Sequence, residues 1–355
     1  MSSGSVTRRR NGLPGFSSFP AASRQLPGSI PSHDTFGRVF ARLDTSEFYA
    51  CLQRWVRTLN GALTDHGVRL DGKTLRHSFD TASGKDALQL LNAWSSDLQV
   101  CLGQVAVDKD SNEITAVPKL LELLELTGAV VTLDAMHCQK ETAQAIRDKG
   151  ADYVLTVKGN QPTLHAEIQK CFEDAGEKDY DVPGLRRLKK TEQGHGRIEH
   201  REYYAMPAPK SLRDTGDWAD LRTVGMVYRE RKMRDKDSQE VVFFFSSLPV
   251  SVKRLAKHLR GHWGIENSLH WSLDVTFGED KSRIRCGNAP EIAGALRRLR
   301  SLDPQAGHFS EKVLDSRQET PGRKLQRKTA KKPVRGKFFV FRGKTLRVRT
   351  DQRGV

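Results

Sequence analysis

The apolar positions of the chain change their spacing from block to block, and these changes predict its elements. "VRLDGKTLR" (68–76), "ALQLLNAWS" (87–95) and "LQVCLGQVAVD" (98–108) are three short β-type runs joined by polar links. "EITAVPKLLELLEL" (113–126) has helical spacing, and Pro118 moves the expected helix start toward Val117. "GAVVTLDA" (128–135) is a continuous apolar run ending in an acid, as in a buried parallel strand. A helix in "QKETAQAIRDKG", a strand in "DYVLTVKGNQP" and a helix in "TLHAEIQKCFEDA" follow. Three strands and then helix, strand, helix, strand, helix predict an α/β fold. Its mixed sheet is antiparallel at the start, parallel afterwards, and flanked by helices.

The flanking blocks set the domain boundaries. Residues 64–183 form the first part of the α/β domain, and 184–250 alternate in β fashion as a β-rich insertion. Helical spacing returns over 251–300, although Gly261 and Gly264 count against one unbroken helix. Before the sheet, 29–63 hold a small helical region. Its first helix, around 34–42, is capped by Ser32 or Asp34; its second, around 46–59, starts at Asp44–Thr45–Ser46. This pair either holds DNA ends or simply packs. Residues 1–28 lack periodicity and read as a disordered or non-native leader, and 301–355 as a basic tail, disordered or frameshifted.

Charge adds less than its total suggests. Of a net +16, the stretch 317–355 carries fourteen Lys/Arg against two acids, leaving about +4 for everything before it. No apolar run is long enough to span a membrane, and no secretory signal is visible. The five cysteines are scattered without a CxxC pair, which fits reduced thiols. The expected location is the cytosol.

Three acids stand where the pattern does not ask for them. Asp71 interrupts the first strand, Asp134 ends the buried strand, and Glu266 lies within the apolar stripe of Leu259, Trp263, Ile265, Leu269 and Leu273. If the first strand adjoins the one carrying Asp134, both carboxylates meet at the sheet edge where α/β folds bind ligands, and a following helix brings Glu266 to them. Three clustered acids repel unless divalent cations intervene, and their hard oxygens suit Mg²⁺ or Mn²⁺. Two such ions, roughly 3.5–4 Å apart, serve in-line phosphoryl displacement. Each acid also has a plainer reading: Asp71–Gly72 as a hairpin turn, Asp134 as a helix cap, and Glu266 bonded between His262 and His270. The His262–Glu266–His270 spacing also allows a zinc site on one helix face, but the zincin pairing of adjacent His and Glu is missing.

Five ordered blocks, "SHDTFGRVFARLD", "LDGKTLRHS", "TLDAMHCQKETAQAI", "DYVLTVKGNQPTL" and "HWGIENSLHWSLDVTFGEDKSRIRCGNAPE", resemble the H-repeat-associated insertion-sequence transposases, a group of DDE transposases. The likeness covers about 30 to 298. It implies a ribonuclease-H-like catalytic domain and a catalytic, metal-binding triad of Asp71, Asp134 and Glu266, using two Mg²⁺ or Mn²⁺ ions. It also implies cleavage and strand transfer at terminal inverted repeats. The partners implied are double-stranded DNA, as element ends and target, and a second copy of the chain on that DNA. Related families place a Tyr, an Arg and a Lys around the Glu, where this chain has Leu259, His262 and Leu273. The DNA contacts expected here are Lys73, Arg76, Lys158, Asn160, Gln161, His262, Lys281 and Arg283. Trp263 and Trp271 are expected in the core, with stacking on an unpaired base as the alternative. The departures at both ends keep two other readings open: an inactive transposase remnant that at most binds DNA, and a related ribonuclease-H-like nuclease.

Overall fold

The computed structural model describes residues 31–59, 63–81, 84–95, 97–98, 100–108, 112–194, 197–233, 237–262, 265, 269–300, 338–341 and 344–347. The leader and most of the basic tail lie outside the described residues, as do Trp263, Gly264 and Glu266.

Strands β1 (Gly67–Thr74), β2 (Gln89–Ser95) and β3 (Val100–Ala106) form an antiparallel meander. Strands β4 (Val130–Leu133) and β5 (Asp152–Val157) then add in parallel beside β1. This is the mixed α/β sheet that the sequence predicts, antiparallel at its start and parallel afterwards. The insertion supplies β6 (Arg186–Gly194), β7 (Arg197–Pro207), β8 (Thr223–Met233) and β9 (Ser238–Ser246). It continues the same sheet, because β9 pairs antiparallel with β5; the order is β3-β2-β1-β4-β5-β9-β8-β7-β6.

Helices cover both faces. On one lie α3 (Glu113–Leu123), α4 (Lys140–Asp148) and α5 (Pro162–Glu177), whose Val117, Leu120, Ile146, Ile168 and Phe172 pack with Leu70, Leu91, Val131, Leu133 and Leu155. On the other, α7 (Val252–His262), which follows the four-residue α6 (Lys210–Arg213), sets Leu255, Ala256 and Leu259 against Val130, Val154 and Phe244. Further along the chain Ile265, Leu269 and Leu273 close over Trp94 and Cys101.

Two local expectations are corrected, and the place of Gly261 is explained. Helix α3 starts at Glu113, ahead of Pro118, because the Asn112 side chain caps the Thr115 amide at 3.2 Å. Gly261 lies inside α7, where the Arg69 guanidinium fills its place; a Cβ there would stand 2.0 Å from that group. Trp271 is 57% exposed, as is Val275. Trp271 stands two residues from buried Leu269, on the opposite side of the helix, and the chain widens into a π turn at Ser272–Thr276.

The N-terminal helices α1 (His33–Arg42) and α2 (Thr45–Leu59) pack against α8 (Ala289–Arg300) and β3. Ser32 caps α1 and Asp44 accepts from the Glu47 amide ahead of α2. The Asn288 amide donates to the Leu43 carbonyl at 2.8 Å, and Tyr49 bridges Glu291 and Gln104. Within the basic segment, β10 (Phe338–Phe341) pairs antiparallel with β11 (Lys344–Arg347). All five cysteines are free, and no helix among the described residues is long and apolar enough to cross a membrane.

Candidate active site

Strand register builds the site. Leu70 of β1 is the partner of Leu133 of β4 in a parallel pair, so Asp71 and Asp134, one residue further on each, arrive side by side. Asp71 is still within β1, paired to Asn92, and Gly72 is paired to Leu91. The Asp–Gly step is therefore strand and not a turn. Asp134 does cap a short 3-10 turn (Ala135–His137), accepting the Ala135 amide at 2.7 Å, yet its side chain is 56% exposed. Capping and chemistry are compatible here, because the second carboxylate oxygen is not used by the cap.

Charges around Asp134 favour its ionised form. Partial burial opposes ionisation, but Lys158, with Nζ 3.7 Å from Oδ1, and the Ala135 amide outweigh it and hold the carboxyl below its usual range. Lys158 follows β5 at the same sheet edge. Beyond it, the Asn160 amide donates to the Ala135 carbonyl at 2.7 Å and the Gln161 amide to the Cys138 carbonyl at 2.9 Å. Both side chains therefore brace the turn behind Asp134.

The two histidines around Glu266 reach the two strands that carry the acids. His262 Nδ1 lies 3.2 Å from Thr132 Oγ1, two residues before Asp134, and His270 Nε2 lies 3.5 Å from Asp71 Oδ2. Burial pushes both imidazoles down to about 4; the Arg69 cation adds to this at His262 and Lys73 at His270. Both are neutral near pH 7. Among the described residues, no group of three or more His, Cys, Asp or Glu is gathered for a metal ion. Thus His262 and His270 have separate protein partners, and Asp71 and Asp134 stand as a pair. Glu266, the third expected acid, lies outside the described residues.

Other expected contacts are distributed unevenly. Arg76 is exposed and reaches Asp280 at 3.3 Å, while Lys281 and Arg283 are exposed on the segment after the π turn. Lys73 is 9% exposed and ion-paired with Asp274 at 2.8 Å. The sequence pattern does not single out Glu113, whose carboxylate occupies the space beside Gly72, accepts from Gln89 and meets His137 Nε2 at 3.0 Å. The glycine after Asp71 is its one sequence signal: a Cβ there would stand 2.1 Å from Glu113 Oε1.

A family model described as a transposase DDE domain matches residues 63–299, from just before β1 to α8. Putative protein YbfL of Escherichia coli (strain K12) is 36% identical over 277 residues, covering 76% of this chain and 72% of its own. The H repeat-associated putative transposase YhhI of the same strain is 35% identical, with the same coverage. Putative transposase YncI of Escherichia coli O157:H7 is 38% identical over 275 residues, covering 76% and 70%. A cryo-EM structure of the piggyBac transposase synaptic complex with hairpin DNA aligns with 77% of this chain and 62% of that one, at 11% identity and a TM-score of 0.31. The matched region contains the strand-end acids and Glu266 alike, and with relatives of this identity over three quarters of its length the chain belongs to the DDE transposase family.

Proposed function

We propose that the chain is a metal-dependent polynucleotidyl transferase that cuts and joins DNA at the terminal inverted repeats of an insertion element. The observation that supports this most is the Leu70–Leu133 register pair, which brings Asp71 and Asp134 together where the parallel pairing of β1 and β4 ends. Their oxygens are hard donors of the kind Mg²⁺ and Mn²⁺ accept, and Asp134 is held ionised. Asp71, Asp134 and Glu266 are the residues that would hold two such ions. Bound there, the ions supply polarisation of the scissile phosphate and a water of lowered pKa.

The chain's own residues do the rest. The strand pairing fixes two of the carboxylates before DNA arrives, which supplies the preorganisation that phosphoryl transfer depends on. His262, buried, and His270, half-buried, are both neutral and seat the helical segment without adding charge beside the acids. Lys158, Arg76, Lys281 and Arg283 face the DNA backbone, with Lys158 closest to the reacting phosphate. Both DNA ends are held by a homodimer.

The test is a cleavage assay on the full chain with inverted-repeat duplexes and Mg²⁺ or Mn²⁺. The expected result is a nick exposing a 3′-hydroxyl at each end, followed by joining to target DNA, with both steps abolished in Asp134→Ala. Cleavage that survives this substitution overturns the site. Repeat binding without cleavage by the unaltered chain favours the inactive remnant, and cutting of branched DNA without end preference favours a nuclease.

A further inference from the structure

Lys73 stands two residues beyond Asp71 on β1, so both side chains leave the same face of the strand. Its ammonium is in an unusual position for a surface cation. The side chain is 9% exposed, and Nζ lies 2.8 Å from Oδ1 and 2.9 Å from Oδ2 of Asp274, within the π turn. Asp280 is 3.8 Å away. Burying an ammonium is costly unless a counter-charge meets it, so Asp274 is what permits Lys73 at this depth.

The pair has a direction. Asp274 comes one turn after His270, whose ring already touches Asp71. The segment that follows Glu266 in the chain therefore meets β1 at two successive same-face positions, with His270 lying beside Asp71 and Asp274 ion-paired with Lys73. The seam continues outward: Arg76 reaches the Asp280 carboxylate, His77 contacts its carbonyl, and Arg285 donates to the His77 carbonyl at 3.1 Å.

Resting on the catalytic reading above, we propose that Lys73 and Asp274 form a positioning clamp. It holds the segment that follows Glu266 in the chain against the strand carrying Asp71, and Lys73 is not a DNA phosphate contact. An ammonium hidden to this extent cannot meet a phosphate without giving up Asp274. The position of the third acid matters, because a misplacement of about 1 Å costs on the order of 10²-fold in rate.

The experiment compares Lys73→Met, Asp274→Asn, the double variant and Lys73→Arg in the full chain. It follows urea unfolding, binding of inverted-repeat duplex across a salt series, and nicking kinetics. The clamp predicts that each single change lowers kcat by about 10- to 100-fold, the scale of a lost supporting contact at such a site. KM and the salt dependence of binding stay unchanged, the double variant loses no more than the worse single, and Arg at position 73 restores most of kcat. A weaker Kd for Lys73→Met, with the slope of log K against log salt reduced by about 0.9, overturns it in favour of a phosphate contact. So do single-variant losses that add in full. If the unaltered chain does not nick, the catalytic reading fails, and the salt slope with the unfolding cycle still decides the clamp. If Lys73→Met does not fold, Lys73→Arg and Asp274→Asn carry the same comparison.

Discussion

Asp71 and Asp134 each stand one residue beyond the Leu70–Leu133 register pair, where the parallel pairing of β1 and β4 ends. Parallel neighbours run about 4.8 Å apart, so the backbone alone brings the acids together before any side chain is placed. The contribution of Asp134 to stability is small, since its side chain is 56% exposed and its ion pair with Lys158 faces solvent. Asp134→Asn should therefore change unfolding free energy in metal-free buffer by less than about 1 kcal/mol. It should lower DNA nicking by at least about 10³-fold. A large loss of stability in urea titration would instead mark Asp134 as a structural cap.

Gly72 gives a sharper packing test. A Cβ would stand 2.1 Å from Glu113 Oε1, a carboxylate already engaged with Gln89 and His137. Gly72→Ala must displace Glu113, with an expected cost of about 1–3 kcal/mol in chemical denaturation. Adding Glu113→Ala should return part of that loss. Additive losses in the double variant would show that the clash is not the cause.

The two strand acids are legible in the sequence because each breaks an apolar run at a point where a strand should not carry charge. The sheet's first five strands are legible for the same reason, since period and turn signals are local. What the pattern hides depends on pairing between distant segments. Nothing in "QEVVFFFSS" says that β9 pairs with β5, so the insertion reads as a separate block until Leu155 meets Phe245. Glu113 reads as a residue ahead of a helix starting near Val117 and Lys73 as a DNA contact, because their partners, Gly72 and Asp274, are brought to them only by the fold. Trp271 is misread for another reason: aromatics near an apolar stripe are usually core, yet this one sits across the helix from Leu269.

Glu279 and Arg298 form a buried ion pair, both side chains 0% exposed, with Nη1 2.9 Å from Oε1. It ties the segment after the π turn to α8. Removing Arg298 leaves Glu279 in the core with only Arg297, at 3.7 Å, as counter-charge, so Arg298→Met alone should destabilise the fold by about 3 kcal/mol. Arg298→Met combined with Glu279→Leu should be milder than the single change. Equal losses for the single and double variants, measured by denaturant unfolding, would rule out the stranded charge as the cause.

Lys281 and Arg283 are exposed on the segment joining the π turn to α8. If each meets one phosphate of the inverted-repeat DNA, replacing both with Ala reduces the slope of log K against log salt by about 1.8. Asn160→Ala should leave that slope unchanged, because its amide is spent on the Ala135 carbonyl. A salt series of binding titrations separates the two; an altered slope for Asn160→Ala would return that residue to the DNA.

His262 carries a pH dependence whose sign follows from its burial. Desolvation pushes its pKa down to about 4, helped by Arg69, His137 and Lys158 and opposed by Asp134, whereas an unfolded histidine titrates near 6.5. Between about pH 6.5 and 4 the unfolded chain takes up a proton that the folded chain refuses. The stabilisation held by neutral His262 is thus complete above 6.5 and is lost as the pH falls toward 4, by up to about 3 kcal/mol. His262→Gln keeps a polar group near Thr132 and removes the titration. Urea unfolding of metal-free protein at several pH values should show the variant losing less stability than the unaltered chain across this window. Parallel profiles would mean that the ring is protonated in the fold, and that the contact with Thr132 does not require its neutral form.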